Sequence, residues 1–256
     1  MLKELHCFKQ INLSKAIHSL GTLGGGNHFI EMDKDENNNV YLIVHSGSRH
    51  LGKEITEYYL SKGFDLLKEQ YNMNLPYALT WISNDLLSNY IHDVQIAQKF
   101  AQLNRDIIID LILKNMKLKE IERFSSAHNY IEKVNDENLF ILRKGAISSK
   151  INEKVIIPIN MKDGVILGIG KGNKNWNESA PHGAGRLMNR SEVKNHYTVS
   201  NFKKEMQGIH CSCINANTLD EAPFAYRSID TIKQHIKDTI NIDKVLKPIY
   251  NYKAGE

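Results

Sequence analysis

Two periodicities divide the chain. From residue 53 to 120 apolar side chains recur at helical spacing, first in ITEYYLSKGFDLLKEQY and then in ALTWISNDLLSNYIHDVQIAQKFAQLNRDIIIDLILKNM, with Pro76 marking a break between them. Elsewhere the apolar stretches shorten to strand-like runs rich in Val and Ile and ended by turn residues: NHFIEM, VYLIVHS, NLFILRK, KVIIPIN and VILGIG. Further helices are predicted around 189–206 and 221–238, and a last strand near KPIYNYK. Helices and strands mix without a strict βαβ alternation. The pattern therefore predicts an α+β chain, a single mixed α/β domain with a central β-sheet core and a helical insertion around 53–120, and argues against a doubly wound nucleotide fold. The acidic, Asn-rich DKDENNN at 33–39 reads as the loop tip of a hairpin.

A length of 256 residues suffices for a sizeable buried core. No stretch approaches the roughly 18 uninterrupted apolar residues of a membrane span, and MLKELHCFKQINLSKAIHSL lacks an apolar signal core, so a cytoplasmic protein with no membrane partner is expected. Cys7, Cys211 and Cys213 cannot build a disulfide framework and read as reduced thiols, the CxC as two ordinary buried ones. The net charge of +4 does not by itself announce nucleic acid, although a local cluster can still bind phosphate.

Glycine and histidine carry the chemical signal. Gly21, Gly24, Gly25 and Gly26 share one window, and Gly164, Gly168, Gly170, Gly172, Gly183 and Gly185 another, where the backbone turns tightly or approaches a ligand. Of eleven histidines, four stand in polar or glycine-rich turns: GTLGGGNHFIE around His28, HSGSRHLG from His45, SAHNYIE around His128 and PHGAGRLMNR around His182. His28 opens one predicted strand and His45 closes the next. A hairpin would turn both imidazoles toward one cavity, and His28, His45 and His128 could then hold a divalent transition ion. GTLGGGN fits neither GxGxxG before a helix nor GxxxxGK[ST], because a strand follows. In the last block Lys171, Lys174, Arg186 and Arg190 surround His182. The two arginines, four residues apart, are expected to share a helix face suited to phosphate, and His182 before GAG is free of neighbouring Cβ bulk, as a nucleophile toward phosphorus requires.

Taken in order, GTLGGGNHFIE, HSGSR, AHNY, RKGA, PHGAGR and DEAPFAYRSID resemble the RtcB family of RNA-splicing ligases, from about residue 20 to the C-terminus. The resemblance implies an RtcB-like fold and a ligase that joins RNA ending in a 3′-phosphate or 2′,3′-cyclic phosphate to RNA with a 5′-hydroxyl. It implies GTP and Mn²⁺ as cofactors, a histidine–GMP intermediate, and archease as a candidate activating partner. His182 then corresponds to the guanylylated nucleophile, and His28, His45 and His128 to metal ligands. Asn27, Phe29, Glu31, Asn129, Pro158, Met161, Ala184, Gly185, Tyr226 and Lys253 correspond to positions around the guanine nucleotide, and Arg49, Arg186 and Arg190 to residues facing RNA phosphates.

Departures accompany the match. The family's D-x-G-C-G segment, whose Asp and Cys complete a two-metal site, has no counterpart in this sequence, and residues 1–256 are expected to be an N-terminally truncated ligase domain. Ile159 and Val165 stand where the family has glycine and serine, and Leu142 and Ile147 replace polar residues beside the RKGA motif. Two other readings stay open: a truncated or degenerate relative that binds RNA or nucleotide without ligating, and a metal-dependent phosphoesterase using the three histidines to activate water.

Overall fold

The computed structural model describes residues 1–71, 75–134 and 139–254. Residues 72–74 of the expected helical block and Asn138 of NLFILRK lie outside them. The chain forms two compact units, Met1–Thr22 with Ser46–Ile112, and Leu23–His45 with Leu113–Glu256.

The first unit is helical: α1 (Leu13–His18), α2 (His50–Tyr71) and α3 (Asn84–Met116). Leu51, Ile55 and Tyr59, four apart along α2, share its inner face and meet Ile96, Ala97 and Phe100 of α3 in a core closed by Leu5, Cys7 and Ile11. Two buried polar side chains fasten the irregular segments. Asp93 accepts the backbone N–H groups of His6 and Cys7, at 2.9 and 3.1 Å, and the Tyr59 hydroxyl at 2.8 Å. Asn104 accepts from Gly21 N at 2.7 Å and donates to the Ser46 hydroxyl at 3.0 Å, joining two segments of this unit to α3. Among the described residues no helix is long and apolar enough to cross a membrane.

The second unit carries the sheets. β1 (Phe29–Lys34) and β2 (Val40–His45) pair antiparallel with Phe29 opposite His45, the hairpin the sequence predicts. Its tip is shorter than 33–39, because Asp33 and Lys34 remain in the strand. Asp35 closes the turn by accepting the N–H groups of Asn37 and Asn39, both at 2.9 Å. β5 (Lys154–Asn160) and β6 (Gly164–Gly170) form a second hairpin, and β9 (Ile240–Tyr252) joins the two, pairing with β6 along its first half and β1 along its second. The order is β2-β1-β9-β6-β5, with the short β8 (His210–Cys211) parallel to β9. Alternation along β6 supplies two cores. Ile166 joins Val155, Ile157 and Ile159 under Ile229, Ile232 and Ile236, while Val165 and Leu167 pack with Leu246 on the other face.

A separate three-stranded sheet orders β3 (His128–Val134), β4 (Leu139–Ser148) and β7 (Ser179–Pro181). Helices and two antiparallel sheets thus give the expected α+β class. Several elements differ from expectation. The helix expected over 189–206 is two, α4 (Arg190–His196) and α5 (Val199–Glu205), because Asn189 and Thr198 each build a capping box that starts a new helix. Over 221–238 only α6 (Ile229–His235) forms, since Ala222-Pro223 favours extended backbone and short 3-10 turns before Ser228 caps it.

Candidate active site

Four histidines meet in the sheet-bearing unit. Ring centroids lie 5.7 Å apart for His28 and His45, 5.3 Å for His45 and His128, and 4.8 Å for His128 and His182. Each arrives for a local reason. The β1–β2 register sets His45 across from Phe29, whose ring centre stands 5.3 Å from that of His45 in a T-shaped contact, with His28 one residue earlier. His128 opens β3 at a bulge: Asn129 adopts a left-handed φ of 58° and the register with β4 shifts between His128 and Tyr130. Gly145 of β4 supports this bend, its N–H donating to the Asn129 side chain at 3.1 Å. Its φ of +69° favours glycine, and a Cβ there would stand 3.8 Å from the His182 ring.

The closest approach is between His45 Nε2 and His128 Nε2, at 3.2 Å. Two ligand nitrogens on one ion, each about 2.0–2.1 Å from it at an angle of 90–110°, stand roughly 2.8–3.4 Å apart, so this pair fits a shared cation. Burial, followed by the neighbouring His128 and His28, holds the His45 imidazole well below its ordinary pKa, in the neutral form that can ligate. Among the described residues no three His, Cys, Asp or Glu side chains are already closed into a metal shell. The fitting element is the His45–His128 pair, flanked by His28 and His182.

His182 follows β7 and precedes a loop fixed by backbone contacts. Its own N–H reaches Gly145 O at 3.3 Å, and Ala184 N–H donates to Pro158 O of β5 at 3.1 Å. Gly185 has a φ of +71°, and a Cβ on it would meet the Arg227 guanidinium at 2.7 Å.

Beyond that loop lies a charged cluster that gathers the expected Arg186, Arg190, Tyr226 and Lys253 around two acidic residues the sequence reading missed, Asp220 and Glu221. Glu221, 3% exposed, faces Lys253 Nζ at 2.9 Å, accepts Tyr226 OH at 2.5 Å and pairs with Arg186 at 3.1 Å. Burial alone would raise its carboxyl pKa, but Lys253, the Tyr226 hydroxyl and Arg190 outweigh it and the net shift is downward. Burial and Glu221 push the Tyr226 phenol up. Arg186 and Arg190 do not share a helix face. Arg186 precedes α4 in a bridge with Tyr226, and what unites the two is the acidic pair, Arg190 reaching Asp220 at 2.5 Å. Arg190 keeps half of its side chain exposed, beside a cleft of about 120 Å³ lined by Gly26, Lys194, Asp220, Glu221 and Ala254. The DEAP motif held the signal for Glu221, two acidic residues ahead of a proline.

Phe29 connects both clusters, since Lys253 Nζ lies 5.6 Å from the centre of its ring. On the same face of β1 come Glu31 and Asp33. Glu31 Oε1 and both Asp33 oxygens are buried without a hydrogen bond. Burial and then Asp33 raise the Glu31 pKa well above the carboxylate range, and burial pushes Asp33 up to about 6. Asp33, missed by the sequence reading, carries no signal there beyond its place in a strand.

The remaining expected residues take varied positions. Asn27 and Asn129 are exposed. Met161 is buried in the core around Val193 and Phe202, and Pro158 lies within β5. Arg49 belongs to the helical unit, where it donates to the Thr22 hydroxyl at 3.2 Å. Lys171 donates to the carbonyl of Lys237. Arg143, 1% exposed under Tyr130, Glu132 and Ser179, is the buried anchor of the RKGA motif.

A family model described as tRNA-splicing ligase RtcB matches residues 3–254. The chain is 31% identical over 247 residues to the RNA-splicing ligase RtcB of Escherichia coli K12, covering 90% of this chain and 60% of that protein. Similar matches are the tRNA-splicing ligases RtcB of Nanoarchaeum equitans, 29% identical with 89% and 57% covered, and of Aeropyrum pernix, 27% identical with 86% and 56% covered. The chain thus spans about three fifths of the length of the curated relatives it matches. Because the family model runs through both units and through every histidine of the cluster, the chain belongs to the RtcB family.

Proposed function

We propose that this chain carries the nucleotidyl-transfer centre of an RNA ligase that joins 3′-phosphate or 2′,3′-cyclic phosphate ends to 5′-hydroxyl ends. The observation that carries the reading is the meeting of His28, His45, His128 and His182 in one run of ring contacts. His182 is the nucleophile: one ring nitrogen attacks the α-phosphorus of GTP, pyrophosphate leaves, and the GMP passes to the RNA 3′-phosphate. His45 and His128, with His28 beside them, would hold Mn²⁺, which when bound neutralises phosphate charge. Phe29, Glu31, Tyr226 and Lys253 form the wall for the guanine nucleotide, and Arg190 and Lys194 at the cleft rim attract phosphate. RNA is the macromolecular partner, archease a candidate activator, and a reducing cytoplasm the setting that suits three free thiols.

The test is to incubate the chain with α-labelled GTP and Mn²⁺. Acid-labile label on the protein, lost in His182→Ala, is expected. GTP bound tightly with no label transferred would overturn the ligase reading in favour of a nucleotide-binding relative.

A further inference from the structure

We propose that Cys211 and Cys213 form an oxidisable dithiol, a modification site at which a hydroperoxide closes an intramolecular disulfide. Their sulfurs lie 3.2 Å apart. A disulfide needs about 2.0 Å, so side-chain rotation must bring them roughly 1.2 Å closer. Cys211 ends β8, opposite Asn251 of β9, and is half-buried, while Cys213 in the following turn is 4% exposed. A small oxidant suits that access better than a bulky one.

The two thiols are polarised differently. The two thiols share one hydrogen bond, and that contact, with Lys253 nearby, draws the Cys213 thiol down to about 7 against the opposing effect of burial. The same contact, with burial, pushes the Cys211 thiol up. Near neutral pH one sulfur is therefore partly thiolate and its neighbour a protonated partner, the pairing that favours sulfenic acid formation followed by resolution. Cys7 has neither feature. Burial and Asp93 push its thiol up to about 12.

The balance closes with hydrogen peroxide alone. The Cys213 thiolate attacks one peroxide oxygen, the S–O bond forms as O–O breaks, and hydroxide leaves to become water. Cys211 sulfur then attacks the Cys213 sulfur, and its proton departs with the hydroxyl as a second water. Two thiols are oxidised and one peroxide is reduced.

The experiment treats the full chain with stoichiometric hydrogen peroxide, alkylates with iodoacetamide and weighs the tryptic peptide spanning 205–227. The expected product has lost two hydrogens, carries no alkyl group and is restored by dithiothreitol, while Cys7 remains reduced. In Cys211→Ser, whose fold is checked by circular dichroism, the same treatment leaves a Cys213 sulfenic acid that dimedone traps. The proposal is overturned if the wild-type peptide stays fully alkylatable, if Cys213 proceeds to sulfinic acid without a disulfide, or if Cys7 oxidises as fast as the pair. Should Cys211→Ser not fold, the wild-type peptide mass decides alone.

Discussion

Lys253 places its ammonium 2.9 Å from the Glu221 carboxylate, and neither side chain is more than 7% exposed. The two ends of the pair are unequally supported. Glu221 is also held by Tyr226, Arg186 and Arg190, whereas Lys253 has no second ion-pair partner among the described residues and otherwise faces the Phe29 ring. Intact buried pairs contribute little net stability, but removing one partner strands the other. The pair therefore acts chiefly to fix where the Lys253 ammonium stands relative to Phe29, and through Phe29 relative to His45.

The asymmetry has a measurable consequence. Glu221→Gln leaves a buried ammonium unpaired and is expected to cost about 3–5 kcal/mol. Lys253→Met leaves a carboxylate with three partners and should cost clearly less, on the order of 1–2 kcal/mol. Urea denaturation of both variants compares them directly. Equal losses, or a larger loss for Lys253→Met, would mean that Lys253 is not the dependent member.

Metal affinity and nucleophile should separate by residue. His45→Ala or His128→Ala removes one nitrogen of the closest pair, and Mn²⁺ affinity should fall by more than the about 10–100-fold typical of losing a mere supporting partner. His182→Ala should leave Mn²⁺ binding nearly unchanged while abolishing covalent label. Titration followed by Mn²⁺ electron paramagnetic resonance measures the first effect. Equal Mn²⁺ binding by wild type and His45→Ala would remove the histidine pair from the metal assignment.

How much of this was legible in the sequence differs by element. The β1–β2 hairpin was readable because alternation and a polar tip are local signals, and with it came the approach of His28 and His45. His128 was recognised as unusual, yet β3 was not seen as a strand, because its pairing partner, residues 139–147 of β4, gives the pleat its meaning and the bulge at Asn129 interrupts its pattern. The Glu221–Lys253 pair spans 32 residues and joins a 3-10 turn to the end of β9, a tertiary relationship with no periodicity to reveal it. Likewise, a fourfold spacing placed Arg186 and Arg190 on one helix, but the capping box at Asn189 starts α4 after Arg186.

Asp33 makes a prediction about pH. Its carboxyl rises from an ordinary 3.8 to about 6 in the folded chain, chiefly by burial, so between those values the folded state binds more protons than the unfolded. Stability is then greatest at the acidic side of this window and is lost as pH rises from about 4 to about 6. Two units correspond to at most about 3 kcal/mol, with the coupling to Glu31 reducing it. Asp33→Asn cannot ionise, and its amide can donate to the unsatisfied Glu31 oxygen. It should flatten the stability–pH curve in that window and stabilise the chain at pH 8, as read by urea midpoints from pH 4 to 8. An unchanged slope in the variant would show that Asp33 is not the titrating group.

Ile159 and Val165 are expected from the resemblance to replace a glycine and a serine, and their surroundings indicate why a simple reversal should fail. Ile159 is 3% exposed among Val155, Ile157, Ile166 and Ile240, and Val165, 1% exposed, packs with Leu167 and Leu246. Ile159→Gly removes a whole aliphatic side chain and loosens a strand, for an expected cost of about 3–5 kcal/mol. Val165→Ser buries a hydroxyl in an apolar layer, for about 1–3 kcal/mol. Because the two side chains pack on opposite faces of the sheet, in separate cores, their costs should add within about 0.5 kcal/mol. Thermal denaturation of the single and double variants tests this. A double variant as stable as either single one would mean that the two positions are coupled through the strands that carry them.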